Sequence, residues 1–108
     1  MAYNDLLEKK IEQGVNLSKL QKKKMFGGLA YLVNGNMCFG VYKDELIIRC
    51  DPEKAKELLR NSHIRPFDIT GKPMMGWLMV NAKEWENTAR LKTLLEIGLD
   101  FARGLPAK

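Results

Sequence analysis

The chain has 108 residues, 45% of them hydrophobic and 29% charged, with 18 Lys and Arg against 13 Asp and Glu for a formal charge of +5. That length holds one domain with a single core, and that composition places it among globular folds. No apolar run approaches the roughly 20 residues of a membrane span and no signal-peptide apolar region opens the chain, so a cytoplasmic location is the expectation. The two cysteines and one histidine are too few for a four-ligand zinc site, and the sequence calls for no metal or cofactor.

Tyr3, Leu7 and Ile11, with Leu6 beside them, recur at helical spacing. Asn4 is a start signal for this helix and Gly14 a stop. Residues 15–22 read as a connector pinned by Leu17 and Leu20, with Ser18 and Gln21 at capping-box spacing. The first quarter of the chain is basic: Lys9, Lys10, Lys19 and the run Lys22, Lys23, Lys24. Such a run either contacts phosphates, releasing their counterions, or protects a sheet edge as a solvated charge row. No aromatic residue interleaves with these lysines, which favours the protective reading.

Residues 25–42, MFGGLAYLVNGNMCFGVY, read as two antiparallel strands about Asn34-Gly35, a pair suited to a two-residue turn with positive φ at both positions. An uninterrupted ladder from that turn pairs Val33 with Asn36, Leu32 with Met37, Ala30 with Phe39, Gly28 with Val41 and Gly27 with Tyr42. Phe26, Gly28, Ala30, Leu32, Met37, Phe39 and Val41 then form the core face. Tyr31 and Tyr42 fall on the other, mixed face, a candidate partner surface. Glycines within the strands imply a bulge or a close approach to the backbone. Gly27-Gly28 lacks the following Lys-Ser/Thr and helix of a phosphate loop. A turn at Lys43-Asp44 leads to a third strand, Leu46 to Cys50. Cys50 then lies across from Met37, with Cys38 on the opposite face, and this excludes a disulfide.

Asp51-Pro52-Glu53 opens a second helix with a side-chain acceptor, a proline whose missing N–H is not needed there, and an acid at the positive end of the dipole. Its buried stripe is Ala55, Leu58 and Leu59, and it ends near Asn61-Ser62. Residues 63–80, HIRPFDITGKPMMGWLMV, form a second hairpin, with an extended arm from Ile64 to Ile69, a turn at Thr70 to Pro73 and an apolar strand from Gly76 to Val80. His63, Arg65, Asp68, Lys72 and Trp77 concentrate here. A histidine beside a carboxylate suits acid–base chemistry, but no motif places a nucleophile with it. His63 reads more simply as capping the preceding helix and Trp77 as core, whereas Arg65 suits clamping an anion and, equally well, pairing with Asp68 or a helix C-terminus. Residues 81–87 form a loop or short turn of helix carrying Trp85. Thr88 caps a last helix whose stripe is Leu91, Leu94, Leu95, Gly98, Leu99 and Ala102, with Phe101 at its border. Gly98 within that stripe implies a close approach to the sheet.

Helix, three strands, helix, two strands and helix define a two-layer α+β domain with helices against one antiparallel sheet. The segments MFGGLAYLVNGNMCFGV, HIRPFDITGKPMMGW and LDFARGLPAK closely resemble the TfoX N-terminal domain family across essentially the whole chain, as a single domain over residues 1–108. The resemblance implies an αβ(3)αβ(2)α fold similar to secretion chaperones, and supplies no catalytic residues. The competence regulator for which the family is named matches only over its first half and adds a helical domain. Its role in switching on DNA-uptake genes therefore does not carry over by resemblance.

Three functions remain open. The first is a regulatory or adaptor module that binds another protein, with His63, Arg65, Lys72, Tyr31 and Tyr42 as the candidate surface. The second is nucleic-acid binding through Lys19, Lys22, Lys23 and Lys24. The third is a small-ligand binder or enzyme centred on His63, Arg65 and Lys72. Pairing into a homodimer through an edge strand or the mixed face is compatible with each.

Overall fold

The computed structural model describes residues 4–15, 18, 20–25, 27–67 and 74–107. The elements are α1 (Asp5–Gly14), β1 (Gln21–Met25), β2 (Gly28–Val33), β3 (Asn36–Tyr42), β4 (Glu45–Arg49), α2 (Pro52–Leu58), β5 (Ile64–Phe67), β6 (Met74–Val80), α3 (Ala82–Trp85) and α4 (Thr88–Arg103). One antiparallel sheet runs β1-β2-β3-β4-β6-β5, with the helices packed on it. The α+β class is as expected. The sheet has six strands rather than five, because the chain turns at Gly27 (φ 78°) and residues 21–25, expected as the end of a 15–22 connector and the lead into the first strand, form a strand of their own. The predicted turn at residues 70–73 lies outside the described residues.

Local signals account for the helix starts. The Asn4 side chain accepts from the Leu7 N–H at 3.0 Å, and Asp51 accepts from the Glu53 N–H at 2.8 Å. The last helix is capped by Asn87, not Thr88: the Asn87 side chain accepts from the Arg90 N–H at 2.9 Å, leaving Thr88 as the first helical residue. All six residues of the α4 stripe are buried. Each fully buried leucine among them contributes about 1.5–3 kcal/mol, so this helix is the main cover of the sheet. A Cβ at Gly98 would stand 2.4 Å from the Cys38 carbonyl oxygen, so the missing side chain is what lets the helix reach β3.

The predicted register holds for the first two pairs, Val33 with Asn36 and Leu32 with Met37, around a turn with Asn34 at φ 54° and Gly35 at φ 82°. It then slips. Tyr31 pairs with Phe39, Ala30 with Gly40 and Leu29 with Val41, so β3 carries one extra residue, Cys38. Because side chains alternate with period two, one inserted residue reassigns every position beyond it. Cys38 and Phe39, consecutive in sequence, both lie in the helix-side core together with Leu29, Tyr31, Val33 and Val41. Ala30, Leu32 and Met37 lie with Ile47, Phe67 and Met79 in a second buried cluster on the opposite face, called helix-free here because none of the described helices packs on it. The expected core face is thus divided between the two sides. Cys38 and Cys50 share the helix-side core instead of facing apart, and both are free thiols.

Candidate interaction surface

The lysine run sits on the edge strand β1, where Lys22, Lys23 and Lys24 pair with Tyr31, Ala30 and Leu29. Successive lysines therefore point to opposite faces, and the three do not form one patch. Lys22 is engaged internally. Its ammonium meets Glu8 and, at 2.7 Å, Glu12 of α1, and Glu12 also accepts from the Tyr31 hydroxyl at 3.0 Å. The hydrogen bond from Lys22 is the main cause holding the Glu12 carboxyl below its ordinary pKa; burial opposes it, and Tyr31 adds to the lowering. For Lys22, burial is the largest single influence and pulls its pKa down, but the two carboxylates together outweigh it and the pKa is raised. Lys22 and Tyr31 thus fasten α1 to the sheet. Tyr31 is fully buried on the helix side, which removes it from the surface set. Lys19 lies outside the described residues.

The helix-free face holds two of the other candidates, Tyr42 and Arg65. Tyr42 is opposite Glu45 on β3 and β4, and Arg65 of β5 is opposite Met79 of β6, itself opposite Ile47. Arg65 reaches back over this face to Glu45, with Nη2 2.5 Å from Oε1 and Nε 3.3 Å from Oε2. Among the described residues its carboxylate partner is Glu45; Asp68, one of the partners expected for it, lies like Lys72 outside the described residues. Tyr42 and Trp77 are half-buried and pack against the apolar cluster of this face, and Lys43 Nζ stands 5.4 Å from the Tyr42 ring centroid. Trp77 therefore packs on the core cluster, as expected, while keeping part of its ring exposed. The fully buried tryptophan is Trp85, whose Nε1 donates to the Asp44 carbonyl at 3.0 Å. The Asn4 N–H donates to the neighbouring Lys43 carbonyl at 2.7 Å, so α1 and α3 both anchor the β3–β4 turn beside Tyr42.

His63 is half-buried and leads into β5, beyond the end of α2 rather than capping it. Its N–H donates to Asn61 Oδ1 at 2.8 Å and its carbonyl accepts from the Asn81 N–H at 2.8 Å. The groove of about 290 Å³ between α1 and α4, lined by Lys10, Gln13, Gly14, Thr88, Leu91, Lys92 and Leu95, contains neither His63 nor Arg65.

Sequence reasoning missed Arg49. It lies on β4 opposite Trp77 of β6, its Cζ 4.9 Å from the Trp77 ring centroid and 5.5 Å from that of Phe101 on α4. No local pattern signals this group. The β4–β6 pairing spans an intervening helix and strand, and Phe101 arrives from the other end of the chain.

These features define a two-layer α+β domain whose helix-free sheet face carries an aromatic and charged rim. The chain belongs to the TfoX N-terminal domain family, which it matches over residues 12–102. A search of curated proteins finds no match.

Proposed function

We propose that this domain is a non-catalytic regulatory or adaptor module that acts by binding another protein through its helix-free sheet face. The observation that carries the reading is the pair of half-buried aromatic residues, Tyr42 and Trp77, which stay partly exposed over an apolar cluster that is itself buried, on the side where no described helix packs. Aromatic residues bordered by polar groups, here Lys43 and the Arg65–Glu45 pair, match the composition of protein-binding surfaces. Nucleic-acid binding is the weaker reading, since it needs a continuous track of cations and Lys22 is already neutralised by Glu8 and Glu12.

The test is quantitative affinity capture from cell extract with the wild-type domain, Tyr42→Ala, and Lys92→Ala on exposed α4 as a control. The expected result is a partner retained by wild type and Lys92→Ala, and reduced roughly tenfold or more by Tyr42→Ala, as for loss of an interface hot spot. Equal capture by all three would refute the assignment of the face. Duplex DNA binding that persists at physiological salt and falls when Lys23 and Lys24 become glutamine would favour the nucleic-acid reading instead.

A further inference from the structure

Arg49 stands apart from most of the other arginines. Arg65, Arg90 and Arg103 each hold a carboxylate, those of Glu45, Glu84 and Asp100. The Arg49 guanidinium has two aromatic rings within 6 Å and, among the described residues, no hydrogen bond or ion pair. Among the described residues, two acids adjacent in sequence to this group are engaged elsewhere: Asp51, two residues from Arg49, caps α2, and Asp100, next to Phe101, faces Arg103. Arg49, Trp77 and Phe101 are all half-buried, so each keeps part of its surface in contact with solvent.

A guanidinium stays charged at any physiological pH and offers five N–H donors in a plane. Rings over it satisfy its charge in part through their π faces but accept none of those in-plane donors. They also fix the side chain and displace water, and both effects strengthen a charge-assisted bond to an incoming anion. A single cation between rings fits one carboxylate set among apolar neighbours, whereas a nucleic-acid strand needs a row of cations.

We propose that Arg49, held between Trp77 and Phe101, is the anchor for an aspartate or glutamate side chain in an acidic and apolar segment of a partner protein. This rests on the reading of the helix-free face as the contact surface, since Trp77 packs against its apolar cluster. It adds the chemistry of the partner: an acid flanked by apolar residues that cover Trp77.

The probe is a random dodecapeptide library displayed on phage, selected on the wild-type domain and on Arg49→Gln, with circular dichroism and melting confirming that the variant is folded. Arg49→Lys, which keeps the charge but loses the planar fork, serves as a second variant. Wild type is expected to enrich peptides with Asp or Glu between apolar residues, and Arg49→Gln is not. A selected peptide, labelled and titrated by anisotropy, should bind about tenfold more weakly to Arg49→Gln and less weakly to Arg49→Lys. Replacing its acid by the amide should weaken binding to wild type by a similar factor and leave binding to Arg49→Gln unchanged. That non-additivity is a readout a purely structural role for Arg49 would not produce. Selection without an acidic consensus, or additive losses, would overturn the proposal. So would binding of a labelled DNA duplex that depends on Arg49 and displaces the peptide. Peptides that need Tyr42 but not Arg49 would leave the helix-free face as the contact surface and remove only the Arg49 anchor; peptides that need neither would remove both.

Discussion

Two glycines in helices make a matched pair for testing how closely α4 is fitted to the sheet. Helix propensity alone predicts that Gly98→Ala and Gly14→Ala both stabilise, by up to about 1 kcal/mol each. The surroundings differ. At Gly14 an added Cβ meets only Leu95 Cδ1 at 3.7 Å, an ordinary contact, whereas at Gly98 it would stand 2.4 Å from the Cys38 carbonyl oxygen and 3.2 Å from its carbon. Reaching even the 3.0 Å floor for such contacts requires a displacement of about 0.6 Å (3.0 − 2.4) between helix and strand. The atoms that would have to yield are backbone, at the bulge of β3. Overpacking typically costs roughly 1–3 kcal/mol, and a gap of this size also weakens dispersion contacts of Leu94, Leu95 and Leu99 with the sheet. With the cost at the upper end and about 1 kcal/mol recovered from propensity, Gly98→Ala should lose about 2 kcal/mol, lowering Tm on the order of 10 °C. Gly14→Ala should be neutral or slightly stabilising. Urea and thermal unfolding of both variants provide the measurement. A Gly98→Ala protein as stable as wild type would refute the close approach, and equal losses in both would show that space is not the deciding factor.

Lys22→Met should release α1 from β1 and lower stability at neutral pH by about 1 kcal/mol, the scale of a half-exposed ion-pair network. Since the folded-state pKa of Glu12 is depressed below its ordinary 4.5, this contribution is present above that value and lost as pH falls through the lowered pKa. The difference between wild type and variant in urea unfolding should therefore shrink on acidification; a gap that stays constant down to strong acid would refute the role of the carboxylate. Burial pushes both cysteine thiols up to about 11, so at pH 8 the native protein should react slowly with a thiol reagent such as DTNB and release two equivalents only on unfolding. Fast native labelling would contradict the burial of Cys38 and Cys50.

The starts of α1 and α2, the turns at Asn34-Gly35 and Lys43-Asp44, and the complete buried stripe of α4 follow from residues a few positions apart. Capping acceptors, positive-φ residues and 3.6-residue periodicity act within one or two turns of chain, so sequence alone determined them. Family membership was equally readable, because each of its three motifs is a contiguous stretch of sequence. The candidate surface was readable only in part: the structure keeps Tyr42 and Arg65 on one face, sends Tyr31 into the core, and adds Arg49, Trp77 and Glu45.

What tertiary structure alone decided is the side of the sheet on which each residue lies. Period-two alternation carries no absolute reference, and in β2 and β3 nearly every residue is apolar on both faces, so hydrophobicity could not expose the extra residue at Cys38. That bulge sits where α4 presses Gly98 onto the Cys38 carbonyl, a contact between residues sixty positions apart. The lysine run became a strand for a similar reason: β1 gains its hydrogen bonds from β2, and Lys22 is held by two glutamates of α1. Neither partner is visible from the lysines themselves. Arg49 met Trp77 only once β4 and β6 were brought into register across α2 and β5, and met Phe101 only once α4 had docked.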